Sequence, residues 1–295
     1  MRVLVTGSGG FVGPWLMAHL DERGDEAVPL PAQTDIRDED AVRTAVVTAR
    51  PEAICHLAAQ SSVKRSWDDP AGTTIVNVVG TLNVCRAAAE LETPPRVLVV
   101  SSSEVYGSVG SARGPISEAQ PFAPVTPYAA SKAAAEMVAL QAWLGRGLDT
   151  VRARAFNHTG PGQGPGFVVP DLASQVAKAA RGELSRIATG NLEVSRDLTD
   201  VRDVVRAYRL LLLHGEAGEV YNVCRGETVL ISDLLRALMK IAGTDVPVWL
   251  DPERARPADV PFQVGDHTRL TSLTGWQPEV PLEKTLADIL ADFGQ

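Results

Sequence analysis

The opening residues restrict what this chain can fold into more than any later stretch. Arg2-Val3-Leu4-Val5-Thr6 is a short apolar run suited to a buried strand. It breaks at once into Gly7-Ser8-Gly9-Gly10-Phe11-Val12-Gly13, ahead of an apolar helix reaching Leu20. Glycines at 7, 10 and 13 permit a tight turn, close approach of backbone to a diphosphate and close packing of the helix, with the anion seated on the helix N-terminus. A strand before and a helix after turn a weak glycine pattern into a dinucleotide site built from Gly7, Gly10, Phe11, Val12 and Gly13.

The same texture repeats. Further apolar strands are expected at Glu26–Leu30, Ala53–Gln60, Val97–Val100 and Thr150–Ala155, with helical stretches between them. Strands alternating with helices predict an α/β fold: a Rossmann-type, doubly wound parallel sheet that takes its ligands at the carboxyl ends of the strands, where Thr6, Ala58, Ser102 and Asn157 fall. In such sheets the second strand ends in an acid for the adenosine ribose or an Arg for a 2′-phosphate. Here Pro31-Ala32-Gln33-Thr34 offers neither, so NAD(H) and NADP(H) both stay open. Asp35 and Ile36 are placed to meet the adenine, although Asp35 is equally suited to capping the helix from Asp38. Small residues around Leu57-Ala58-Ala59 leave room for the diphosphate and nicotinamide ribose. His56 reads as a core or strand-end histidine. Asn77, on a helix expected over 71–91, is set to hydrogen-bond the following strand end.

The chemistry is expected between Val97 and Lys132. A hydroxyl at the end of a buried strand, Ser102, precedes a helix that carries Tyr128 and Lys132 one turn apart on a shared face. An ammonium beside a phenol favours the phenolate, which predicts a Tyr128 pKa drawn down from about 10. Carbonyl reduction, or its reverse, needs this trio.

From Phe156 the texture changes to a Gly- and Pro-rich stretch through Gly166, expected as a functional loop without regular structure. Residues 1–160, with 200–224 returning to them, are expected to form the dinucleotide half; 161–199 and 225–295 form a smaller α/β substrate lobe. Arg196 and two loop arginines, Arg254 and Arg256, are candidates for a cationic diphosphate pocket.

Composition sets the remaining bounds. A net charge of −8 argues against a nucleic-acid partner. Cys55, Cys85 and Cys224 are scattered without metal-ligand spacing, which predicts free buried thiols in a reducing, cytoplasmic compartment and no metal. No charged-then-apolar leader precedes the first strand, and no apolar run approaches the roughly 20 residues of a membrane helix, so neither secretion nor a membrane is expected.

With Gly7-x-x-Gly10-x-x-Gly13, Ser102, Tyr128 and Lys132 in place, the chain resembles the extended short-chain dehydrogenase/reductases that act on nucleotide sugars, over essentially its whole length. The second half is more specific. Arg154-Ala155-Phe156-Asn157-His158-Thr159-Gly160-Pro161-Gly162-Gln163, Arg196-Asp197, Val220-Tyr221-Asn222-Val223-Cys224, Arg256-Pro257-Ala258-Asp259-Val260 and Thr274-Gly275-Trp276-Gln277-Pro278 are similar to the GDP-4-keto-6-deoxy-mannose reductases, which form GDP-rhamnose. They are less similar to the GDP-mannose 4,6-dehydratases. The resemblance implies reduction of the C4 ketone of a GDP-linked sugar by NAD(P)H. Tyr128 would supply the proton, Lys132 would tune Tyr128 and hold the nicotinamide ribose, and Ser102 would orient the carbonyl. It further implies that Asn157, Arg196 and Arg256 hold the nucleotide sugar, with Asn191 near the nucleoside, Asp259 on a hydroxyl, and Ser103 and Val169 lining the site. Two residues after Ser102 stands Glu104, where a dehydratase keeps the carboxylate that moves a proton at C5, so dehydratase and 4-epimerase are the enzymatic alternatives. A dinucleotide-binding sensor or scaffold is the non-enzymatic one. The Ala- and Leu-rich helices around 71–91 and 128–146 correspond to a pair that packs against a second subunit in relatives, so a homodimer is expected.

Overall fold

The structure, a computed structural model, describes residues 1–108, 114–252 and 262–294. β1 (Arg2–Thr6) is covered on both faces. Val3 and Val5 pack on one side with Leu16, Leu98 and Tyr208, and Leu4 packs on the other with Ile54, Val84 and Val99. Strands enclosed in this way read as unbroken apolar runs rather than alternating ones.

From β1 the chain passes through α1 (Val12–Glu22), β2 (Glu26–Pro29), α2 (Glu39–Ala49), β3 (Ala53–His56), α3 (Val63–Asp68) and α4 (Pro70–Thr74). A π-helical turn (Ile75–Val79) then leads to α5 (Gly80–Ala89) and β4 (Arg96–Ser102). The helix expected over 71–91 is therefore interrupted. Asp69 caps α4 by accepting from the Gly72 amide, and the wider π turn follows it. After a 3₁₀ turn (Ser103–Tyr106) come α6 (Pro127–Arg146), β5 (Thr150–Ala155) and β6 (Asn157–Thr159). α6 starts and stops on local chemistry. Thr126 accepts from the Ala129 amide, Pro127 fills the first turn, and Gly147 leaves in the left-handed region at φ +69°.

The second half carries α7 (Val168–Ala180), β7 (Ile187–Thr189), β8 (Ser195–Asp200), α8 (Val201–His214), β9 (Val220–Val223), β10 (Thr228–Leu230), α9 (Ile231–Ala242) and β11 (Val248–Leu250). β12 (Phe262–Gln263), α10 (Thr268–Thr274) and α11 (Leu282–Asp292) complete it. Among the described residues the main sheet runs β2-β1-β3-β4-β5-β9, parallel throughout. This is the expected Rossmann-type α/β fold, and β9 returns to its far edge from the second half. A smaller sheet, β10-β8-β12, has β6 alongside β8, and β11 pairs with β7. The loop expected from Phe156 to Gly166 is thus not wholly irregular, because Asn157–Thr159 pair in parallel with Leu198–Asp200. A sequence scan has no access to that partner, since it lies some 40 residues downstream.

The buried interior forms separate clusters. Two cover the faces of the main sheet. A third, built on Leu172, Val176, Leu234, Leu238 and Ile289, sits beneath α7, α9 and α11. A fourth, Val105, Tyr106, Ile116, Phe156 and Cys224, lies at the junction of the two sheets. Removing large side chains of this kind from water stabilises by roughly 1.5–3 kcal/mol each.

Candidate active site

The glycine turn is built as expected, with different neighbours for its glycines. Gly7 lies at φ +71°, and a Cβ there would come within 2.7 Å of the Ala58 amide nitrogen, so β1 and the end of β3 meet backbone to backbone. The Gly10 amide closes the turn onto the Gly7 carbonyl at 3.0 Å. Gly13 is required by the loop itself, because a side chain there would collide with the Ser8 carbonyl. Phe11 opens α1 with no side chain capping it and no acid in its first turn. The donors of that turn are therefore available to an anion, and residues 7–13 fit a dinucleotide diphosphate. The Phe11 ring stacks on His158 with centroids 6.1 Å apart, and the Trp15 indole donates to the Pro161 carbonyl, fastening the 157–163 segment over the start of α1.

At the adenosine end, Asp35 does not cap α2. Asp38 does, accepting from the Ala41 amide at 3.0 Å. Asp35 instead accepts from both the backbone and the guanidinium of Arg37, which hold its carboxyl down at about 2. Ile36 is buried, and Asn83 on α5 donates to the carbonyls of Ile36 and Arg37 at 3.0 and 3.1 Å, fixing the loop. Asn83 escaped the sequence reading; a lone amide among the apolar residues of α5 was its only signal.

His56 is the core histidine expected. It is buried between the hydroxyls of Thr6 (2.7 Å) and Thr81 (3.1 Å), and burial, with the Lys132 charge adding, pushes its pKa down to about 3. Asn77 lies in the π turn and reaches the segment just after β3 rather than the end of the following strand. Its oxygen accepts from the Gln60 amide, and its nitrogen donates to the Gln60 carbonyl and to Ser131 Oγ. Leu57, Ala58 and Ala59, partly exposed, run from β3 toward Gln60.

Ser102, Tyr128 and Lys132 come together at the carboxyl end of β4, all three buried. The expected electrostatics need correction. Burial pushes the Tyr128 phenol up to about 12; a hydrogen bond with Ser102 pulls the other way, and the Glu104 charge adds to the rise. The Lys132 ammonium donates to the Val100 carbonyl at 2.6 Å, so one of its three donors is held by the backbone of β4. Burial brings Lys132 itself down to about 8, against the opposing charge of Glu136 one turn further along α6. The result is a neutral phenol, a hydroxyl and a cation gathered in a dry corner. These groups can hold a carbonyl oxygen and give it a proton.

The remaining candidates sit on other elements. Asn157 starts β6. Arg196 lies half-buried on β8, donating to the Ser195 carbonyl at 2.9 Å, and the exposed Asn191 turns back to accept from the Glu193 amide. The Ser103 hydroxyl is engaged by Gln263, and Val169 is packed in the cluster beneath α7. Arg254, Arg256 and Asp259 lie outside the described residues. Among the described residues no cluster of His, Cys, Asp or Glu is arranged to hold a metal, and no helix is long and apolar enough to cross a membrane.

The family described as GDP-mannose 4,6 dehydratase matches residues 30–289. GDP-6-deoxy-D-mannose reductase of Pseudomonas aeruginosa is 40% identical over 295 residues, covering 99% of this chain and 97% of that protein. UDP-glucose 4-epimerase of Mycolicibacterium smegmatis is 32% identical over 314 residues, covering 99% and 98%. Among solved structures, RMD from Pseudomonas aeruginosa complexed with NADPH superposes with a TM-score of 0.93 at 38% identity, covering 99% of each chain. The Thermus thermophilus UDP-glucose 4-epimerase complex with NAD superposes at 0.88 with 31% identity, again covering 99% of each.

Proposed function

The chain belongs to the GDP-mannose 4,6-dehydratase family, and from that premise we propose that it is an NAD(P)H-dependent 4-ketoreductase that converts GDP-4-keto-6-deoxy-mannose to GDP-rhamnose. The observation that carries this is the convergence of Ser102, Tyr128 and Lys132 at the end of β4, in a chain that also keeps an uncapped helix start after its glycine turn and matches a GDP-6-deoxy-D-mannose reductase over 99% of its length. Residues 7–13 would hold the reduced nicotinamide dinucleotide, which when bound would supply a hydride for C4. Ser102 orients the ketone oxygen, Tyr128 gives it a proton as the C–O double bond becomes a hydroxyl, and Lys132 keeps a positive charge beside the developing alkoxide.

Residues 1–160 with 200–224 form the dinucleotide half in this reading, and 161–199 with 225–295 the sugar-nucleotide half. By resemblance, Asn191, Arg196, Arg256 and Asp259 of the latter, with Asn157 at the end of the dinucleotide half, are assigned to the nucleotide sugar. Buried, unpaired Cys55, Cys85 and Cys224 fit a reducing cytoplasm. Exposed Ile75, Val79, Met137 and Leu144, on neighbouring segments of the π turn and α6, mark the face on which a second copy would sit.

A second reading is favoured by Glu104, which lies near enough to the phenol to raise its pKa and could serve a 4,6-dehydratase as the carboxylate for C5. The test is to incubate the purified protein with GDP-4-keto-6-deoxy-mannose and NADH or NADPH, follow the loss of nicotinamide absorbance, and identify the sugar by NMR. GDP-rhamnose is the expected product. Formation of the keto sugar from GDP-mannose alone, without net cofactor consumption, would replace the reductase with the dehydratase.

A further inference from the structure

We propose that Gln263 is a positioning residue for the reductive site, setting the geometry of the Ser102–Glu104 turn from the second sheet. This rests on the reductase reading. The Gln263 side chain, 5% exposed on β12, donates from Nε2 to the Ser103 carbonyl at 3.0 Å, and its Oε1 accepts from Ser103 Oγ at 3.2 Å. Two bonds from one planar amide to a single residue fix that residue's rotation as well as its place. Ser103 stands between Ser102 and Glu104, the two groups that act on the Tyr128 phenol with opposite signs.

The turn has little to hold its own shape. It is a short 3₁₀ segment, a form with poorer hydrogen bonding than the α-helix, and the Ser102 hydroxyl caps it by accepting from the Glu104 amide at 3.2 Å. An apolar residue at 263 would take one of the two bonds from the Ser103 carbonyl and leave the buried Ser103 hydroxyl without the Gln263 acceptor, at a cost of about 1–3 kcal/mol.

The other side of β12 is anchored in the substrate half. Gln263 is in register with Arg196 on β8. Just beyond it, the Gly265 amide donates to Asp197, which also accepts from the amides of Arg225 and Gly226, and the Val264 carbonyl accepts from Ile116. The strip carrying Gln263 thus moves with the strand that carries Arg196. The side-chain amide passes the position of that strand to the hydroxyl and carboxylate around the phenol. Misplacing a reacting oxygen by about 1 Å costs on the order of 100-fold in rate.

The test uses the full-length enzyme with GDP-4-keto-6-deoxy-mannose and reduced nicotinamide, unlabelled or deuterated at the transferred position. Gln263→Met keeps the volume and removes both bonds, Gln263→Glu keeps only the acceptor, and Ser103→Ala removes only the hydroxyl bond. The expected result for Gln263→Met is a kcat lowered about 10- to 100-fold, with KM for the dinucleotide within about twofold and a larger deuterium isotope effect, as the hydride step becomes limiting. Gln263→Glu and Ser103→Ala should fall between it and the parent. Ser103→Ala/Gln263→Met should be no slower than Gln263→Met alone, since both act through one contact. Should Gln263→Met fail to fold, the two milder variants carry the same comparison. Parental kcat and isotope effect, or a loss explained wholly by less folded enzyme, would overturn the role of Gln263 and leave the reductase reading intact. A parent enzyme that does not turn over the keto sugar sinks both.

Discussion

Tyr128 and Lys132 are shifted in opposite senses by the same burial, and for a reductase both shifts matter. The phenol, raised to about 12, keeps its proton across any working pH, so the free enzyme's reductive kcat/KM should not report its loss. Lys132, lowered to about 8, loses its charge as pH rises past that value. Reductive kcat/KM should therefore be flat below about pH 8 and fall about tenfold per pH unit above it. A pH–rate profile of the parent checks this against Lys132→Arg, whose guanidinium stays charged and whose residual rate should show no such limb. Tyr128→Phe removes the donor and should lower kcat about 100- to 10,000-fold, the usual worth of a positioned general acid, while dinucleotide affinity by calorimetry is unchanged.

At the scale of elements, side-chain amides and carboxylates hold loops where the helices and strands end. Asn83 clamps two consecutive carbonyls of the Ile36–Arg37 loop. Asn83→Leu should raise KM for the dinucleotide about 2- to 10-fold with kcat unchanged, the worth of about one hydrogen bond, measured at saturating sugar. Asp197 takes three backbone amides from two loops onto β8, and burial raises its pKa to about 6 in spite of them. Asp197→Asn puts an NH₂ where only acceptors serve, and should cost about 1–3 kcal/mol in a urea titration at pH 7.5. The π turn belongs here too. By widening the helix at Asn77 it lets one amide reach both Gln60 and Ser131, and Ser131 donates in turn to the Tyr128 carbonyl. The end of β3 and the tyrosine helix are thereby joined.

For the whole molecule, the exposed apolar residues of the π turn and α6 argue for a paired state. Leu144, 73% exposed, and Met137 lie on the long helix that also carries Tyr128 and Lys132. Light scattering should give twice the mass of the 31.4 kDa chain. Met137→Glu/Leu144→Glu should return it to the mass of one chain, because two desolvated carboxylates would face their copies across the contact. A monomer in the parent would remove the homodimer.

The alternation of main-sheet strands and helices was legible in the sequence because it is written in local terms: apolar runs enclosed on both faces, and glycines where a side chain would strike backbone. The trio of Ser102, Tyr128 and Lys132 was legible for the same reason, since strand end and helix face follow from spacing. Burial was not. Which way the tyrosine is shifted depends on how deeply α6 packs over β4. The partners of Ser103, Asn77 and Asn157 come from distant parts of the chain, and no local pattern encodes a hydrogen bond closed across 160 residues. Only the folded chain, by bringing β12 against the end of β4, decides them.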